Sequence, residues 1–306
     1  MTGQSTATAE NQTSSRQSRF RSSDDGRLKA GWRIVAFLAI FYALALPMIF
    51  GLRALIGFSK SSPWVIVIIA ASAIPAVYIA RRWIDGKRFA SLGLEPGKRS
   101  AMDAVFGFLL SGVMAGIVFV AMATLGFVDN VHLAPVDAAA ARALAGSVLL
   151  MMLVGFWEEL VFRGYILQNM AEGMGMKVAV LISCLLYGLI HAANPNAGLL
   201  STAIIVLFGY LRIYGYLITG QLWLSFGMHA GWNFFQATVF GYAASGHAED
   251  WTLLTHDTAA DSWLSGGAFG PEASVITVPV VVLALFAMRW WSTAGAPSST
   301  RTAAVP

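Results

Sequence analysis

Apolar positions in this chain do not alternate with polar ones at a short period; they run on without interruption. Stretches of roughly 20 apolar residues, the length a helix needs to cross about 30 Å of hydrocarbon, recur along most of the sequence. The candidate spans are residues 34–52, 63–80, 104–128, 144–167, 178–191, 199–219, 222–242 and 275–288, each bounded by charged, glycine-rich or polar residues. They predict an all-α fold, a polytopic transmembrane bundle of about eight helices. The fifth and eighth stretches are short for a full crossing and are expected to be tilted, re-entrant or longer than these limits. Gly112-x-x-x-Gly116 in the third span is a pattern that lets helix backbones approach closely, within one chain or between two. No internal repeat of the inverted-transporter kind is visible.

Composition agrees with this pattern. The chain is 57% hydrophobic and 12% charged, against about 25% charged in a soluble domain, and its mean hydropathy is +0.66. The partner this composition implies is membrane lipid. The net charge of +4 does not point to nucleic acid, because the basic residues lie in loops beside apolar runs and report topology instead. The one cysteine, Cys184, supports neither a disulfide framework nor a cysteine metal site and reads as a small core residue.

The sequence divides into a polar, disordered cytoplasmic tail over 1–33, N-terminal transmembrane helices over 34–130, a core over 144–242, an acidic loop over 243–273, and a last helix with its tail over 274–306. The tail lacks the early apolar stretch of a signal peptide. With the N-terminus inside, most Lys and Arg fall on the cytoplasmic side, only Arg53, Lys60 and Arg142 fall outside, and the 243–273 loop with Glu249, Asp250, Asp257, Asp261 and Glu272 is external. A multi-pass protein of the cell membrane with both termini cytoplasmic is expected. His247 and His256 in that loop suggest a metal site or, more simply, a solvated loop.

Function is read from ionisable groups in apolar helices, each costing about 2.5–3.5 kcal/mol near a helix centre on insertion scales. Glu158, Glu159 and Arg163 lie in Gly155-Phe-Trp-Glu-Glu-Leu-Val-Phe-Arg-Gly164. On a helix Glu159 and Arg163 share a face, and Glu158 points about 100° away. Either Arg163 neutralises Glu159 and leaves Glu158 as a desolvated general base, or all three form an ion cluster at a helix end. A second segment, Tyr187-Gly-Leu-Ile-His191, places an aromatic ring and an imidazole on one face before Asn194-Pro195-Asn196 breaks the helix. The third, His229-Ala-Gly-Trp-Asn233, sets an imidazole beside a carboxamide, as a reactive pair or as a structural hydrogen bond between helices.

Taken together, Glu-Glu-x-x-x-Arg, aromatic-x-x-x-His and His-x-x-x-Asn resemble the motifs of the CAAX protease and bacteriocin-processing (Abi) family, to which Ras-converting-type proteases belong. The resemblance covers roughly residues 144–242, with Tyr187 where Phe is the commoner family residue. It implies an intramembrane endopeptidase in which Glu158 and His191 activate a water molecule, His229 and Asn233 stabilise the oxyanion, and Glu159 and Arg163 support the site. Carboxylate and imidazole suit the first task, and imidazole and amide N–H groups suit the second. No cofactor is expected. Zinc or another divalent metal is the alternative, since two histidines and a glutamate can bind it, although the His-Glu-x-x-His signature is missing. Within these span limits His191 and His229 differ in depth by roughly 10–15 Å, so the fifth helix is expected to start deep or the 194–196 segment to dip into the bundle. The alternative from another class is a non-enzymatic membrane protein, such as a bacteriocin self-immunity factor, a scaffold or a transporter. Nothing in these residues specifies a prenyl group on the substrate.

Overall fold

The computed structural model describes residues 20–22, 26–59, 62–259 and 263–294. Its principal helices are α1 (Ala30–Ile56), α2 (Pro63–Ile79), α3 (Lys98–Thr124), α4 (Ala138–Glu159), α5 (Leu167–Met174), α6 (Met176–His191), α7 (Leu199–Thr219), α8 (Trp223–Asn233) and α9 (Thr277–Ala294). Each apolar stretch of the sequence corresponds to helix, and the chain is an all-α polytopic bundle. Among the described residues, six helical runs are long and apolar enough to cross a membrane. One of them, Ala138–Met174, joins α4 to α5 through the π-helical residues Leu160–Ile166.

Local chemistry sets the helix ends. Asp137 accepts hydrogen bonds from the free N–H groups of Ala139 and Ala140 at the start of α4, both at 2.8 Å. Pro63 opens α2 behind the Ser62 cap, a position where its missing N–H costs nothing. α6 has 16 residues and rises about 24 Å, short of a full crossing. α8 is shorter than the 222–242 stretch suggested because the helix turns π-helical over Phe234–Val239. α9 runs on past 288 to Ala294 and reaches spanning length.

Most of the 1–33 tail lies outside the described residues, as does 295–306. What is described pairs Arg21 with Leu28 in an isolated bridge and enters α1 at Ala30. Arg33 is buried there, 2.9 Å from Glu172 at the end of α5 and 3.7 Å from Asp85 after α2. Ion pairs thus tie α1, α2 and α5 together at this end.

The 243–273 region is folded onto the bundle. Residues Leu254–Thr258 (β2) pair antiparallel with Val128–Leu133 (β1), the segment after α3, to form a two-stranded sheet. The Glu272 carboxylate is buried, accepting from Trp232 Nε1 at 3.0 Å and from the Ser245 N–H at 2.7 Å and hydroxyl at 2.6 Å. Asn194 donates to the Ser245 carbonyl at 3.0 Å, so the turn after α6 is roofed by the same loop. His256 donates from Nε2 to the Phe240 carbonyl at 2.9 Å, and its Nδ1 stands 3.2 Å from the Thr258 hydroxyl.

The α3–α8 seam is built on glycines. A Cβ on Gly227 would stand 2.0 Å from the Ala104 carbonyl oxygen, one on Gly231 2.5 Å from that of Phe108, and one on Gly107 2.5 Å from that of Leu224. Gly227-x-x-x-Gly231 is therefore the closest small-residue contact in the bundle interior. Gly112 and Gly116 face Phe235 and Phe240 of the same chain. Because no side-chain motion relieves a clash with a backbone oxygen, Gly227→Ala is expected to lower the Tm in detergent, by an overpacking cost of about 1–3 kcal/mol. Gly146→Ala in α4, where a Cβ meets nothing within 4 Å, serves as the control and should leave Tm unchanged or raised. A Tm for Gly227→Ala equal to wild type would show that the seam can part without cost.

Candidate active site

Glu158 and Glu159 are the last two residues of α4 before it becomes π-helical. Such wide turns are rare and recur at functional positions. Glu159 is buried, and its Oε1 accepts from Arg163 Nη1 at 3.2 Å, the i,i+4 pair expected from spacing. One turn earlier, Gly155 leaves room for α8: a Cβ there would lie 2.9 Å from the Ala230 backbone nitrogen. This close approach brings the neighbouring His229 onto the same carboxylate, with Nδ1 2.9 Å from Glu159 Oε1.

Glu158 occupies a different environment. Its side chain retains 13% exposure, and its Oε2 accepts from the Tyr187 hydroxyl at 2.9 Å while standing 3.7 Å from His229 Nε2. The two carboxylates therefore face the two nitrogens of one imidazole. Tyr187 is buried on α6, with its ring 4.3 Å from the Arg163 guanidinium carbon, a cation–π contact. The Arg163 Nη2 also donates to the Gly209 carbonyl at 3.3 Å and so fastens α4 to α7.

His191 joins this group through Tyr187. Its Nδ1 donates to the Tyr187 carbonyl at 2.8 Å, and the two rings lie 4.4 Å apart, tilted by 44°. Since a carbonyl only accepts, this bond fixes the tautomer with hydrogen on Nδ1 and leaves Nε2 as a lone pair in the neutral ring. Among the described residues no hydrogen bond connects His191 to Glu158 or His229, and the residue of α6 that reaches the cluster is Tyr187. It lies one turn inside the end of α6, and that is the level at which Glu158 and His229 meet. Asn233 closes α8 one turn beyond His229 and is partly exposed. Among the described residues, no hydrogen bond connects Asn233 to the other groups.

A buried arginine completes the cluster and escaped the sequence reading. Arg212, in the middle of α7, is 2% exposed and donates from Nη1 to the Tyr187 hydroxyl in a short bond. Its signal was present, a cation inside an apolar span, but it was counted among the residues that report topology. Tyr187 also carries more than its aromatic ring suggested, because the hydroxyl that distinguishes it from Phe is the group between Arg212 and Glu158. With His229 neutral, two carboxylates and two guanidiniums balance, as buried charge requires.

Each histidine has Nδ1–H committed and Nε2 available, the state of a metal-bound imidazole as well as of a base. Among the described residues no three His, Cys, Asp or Glu side chains are grouped closely enough to hold an ion, and Glu158 Oε2 is instead engaged by Tyr187.

Residues 140–235, which contain every group described above, match the family described as Type II CAAX prenyl endopeptidase Rce1-like. The chain is also 30% identical over 173 residues to the "Uncharacterized protein YyaK" of Bacillus subtilis (strain 168), an alignment covering 53% of this chain and 56% of the relative. The chain thus spans about half the length of the curated relative it matches. The family match falls on the same stretch of the chain that carries the three motifs.

Proposed function

We propose, from the match of residues 140–235 to the Rce1-like CAAX prenyl endopeptidase family, that this membrane protein hydrolyses peptide bonds of membrane-associated peptides or proteins. The observation that carries the reading is the paired engagement of His229, with Glu159 on Nδ1 and the partly exposed Glu158 carboxylate beside Nε2. An ion cluster serving only to join helices gains nothing from leaving one carboxylate partly open.

In this reading Glu158 takes a proton from water, whose oxygen attacks the scissile carbonyl carbon as the carbonyl electrons move onto oxygen. His191, with a lone pair on Nε2, holds the water's second hydrogen. The oxyanion is met by the Asn233 amide and by His229 carrying a second proton on Nε2, taken up from water as substrate binds and given back with product release, while its Nδ1–H is held by Glu159. Collapse of the tetrahedral intermediate breaks the C–N bond, and the proton on Glu158 passes to the departing amine, restoring the carboxylate. Arg163 balances Glu159 throughout, so the site need not import a counter-ion. The N- and C-termini lie on the cytoplasmic side in this proposal, and no metal takes part.

The test is cleavage of a fluorogenic CAAX-type peptide library by purified protein in lipid nanodiscs, with and without a chelator. Turnover that survives chelation is expected. Loss on chelation, restored by zinc, would return a metal to the site and displace the water-activation scheme above. No turnover of any library member would favour a non-enzymatic role as immunity factor, scaffold or transporter.

A further inference from the structure

The hold on Glu158 begins at a residue outside the three sequence motifs, Arg212. A guanidinium has N–H donors and no acceptor, so in the bond between Arg212 and Tyr187 the phenol oxygen can only accept. The single hydrogen of that hydroxyl is then committed to Glu158 Oε2, 2.9 Å away. The bonds therefore run in one direction, from Arg212 through Tyr187 to Glu158. Among the described residues Arg212 makes no direct ion pair with Glu158, and Glu158 Oε1 has no hydrogen-bond partner.

Arg212 is well anchored for such a role. Its side chain lies over the rings of Tyr187 and Phe208, at 5.4 and 5.7 Å from their centroids. Its backbone carbonyl accepts from Ser225 Oγ at 2.6 Å, which pins α7 to the start of α8. The charged and titratable groups around Glu158 are Glu159 and Arg163 from its own helix run, Tyr187 from α6, Arg212 from α7 and His229 from α8. Of these, the Tyr187 hydroxyl is the one that hydrogen-bonds it.

We propose that Arg212 is a positioning residue, which acts through the Tyr187 hydroxyl to hold one oxygen of Glu158 and leave the other free to meet water. The proposal rests on the endopeptidase reading above for its consequence in turnover, but not for the hydrogen-bond relay itself. A carboxylate held at one oxygen presents the other at a fixed angle, and misplacing a reacting group by about 1 Å costs on the order of 100-fold in rate.

The relay predicts that Arg212→Met and Tyr187→Phe each lower kcat by roughly 10- to 100-fold with KM little changed, measured in nanodiscs. Because both break one chain of bonds, the double variant is expected to lose no more than the worse single, and Arg212→Lys to recover part of the loss. The geometric claim is read without turnover by infrared difference spectroscopy. The Glu158 antisymmetric carboxylate band, assigned as the one lost in Glu158→Gln, should shift in the same direction in Arg212→Met and Tyr187→Phe. Should Arg212→Met fail to fold, Arg212→Gln takes its place with the same expectation. An unshifted band in the folded Arg212 variant, or losses in kcat that add between the two sites, overturns the proposal. A wild type without turnover sinks the endopeptidase reading instead, and the band shift still decides whether Arg212 holds Glu158.

Discussion

Replacing Glu158 with glutamine is expected to lower kcat/KM on a cleavable CAAX-type peptide by roughly 100- to 10,000-fold, the contribution of a positioned general base, while leaving the protein folded. The amide keeps the size of the carboxylate and an acceptor oxygen for the Tyr187 hydroxyl, but it cannot take a proton from water. The side chain is 13% exposed and forms no direct arginine ion pair among the described residues, so removing its charge, although it leaves the buried Arg212 without its balancing carboxylate, is expected to cost less than breaking the Glu159–Arg163 pair. Rate and Tm, measured on one preparation, separate the two effects. Full activity in Glu158→Gln would remove the base from the mechanism, and a collapse of Tm would mean that the carboxylate holds the bundle together.

The largest effect on stability belongs to the neighbouring residue's partner. Arg163 and Glu159 are each 1% exposed at the side chain, and removing one member of a buried pair strands the other, at a cost of about 3–5 kcal/mol. Arg163→Met is expected to cost this much in thermal or denaturant unfolding in detergent. It also releases the Gly209 carbonyl and the face of Tyr187, which adds to the loss. The double variant Glu159→Gln/Arg163→Met should recover most of the stability, because no charge is left unpaired, but not the activity, since His229 loses the carboxylate on its Nδ1. If the double variant were less stable than Arg163→Met, the pair would not be the source of the cost.

Much of this could be read from the residues alone because a membrane imposes a coarse and demanding pattern. Uninterrupted apolar runs locate α1, α2 and α7 to within four residues, whereas α3 and α4 each start six residues before the predicted limit, and Glu159–Arg163 follows from helical spacing. The two π-helical segments after Glu159 and Asn233 could not be seen, since a wide turn needs no special residue and is decided by packing. The β1–β2 pair was missed because Asp129, Asn130 and Asp257 give those strands the look of polar loop. Gly227-x-x-x-Gly231 overlaps the His229-x-x-x-Asn233 motif, and only the packing of α8 on α3 shows that its glycines face a backbone. Arg212 was overlooked because one criterion, charge near an apolar run, serves both topology and function. Only its depth on α7 tells the two apart, and depth is a tertiary property.

The buried Glu272 carboxylate has a practical corollary for anyone modifying this protein. It fastens the acidic loop to Trp232, the residue immediately before Asn233, and Gly246 sits so tightly that a Cβ would lie 1.9 Å from the Pro195 carbonyl oxygen. An epitope tag or reporter inserted near Ser245 would therefore disturb the end of α8, however exposed the loop looks on a hydropathy plot. The safer insertion point is the short stretch before Asp137, where Val136 is 74% exposed and the next element starts with its own cap.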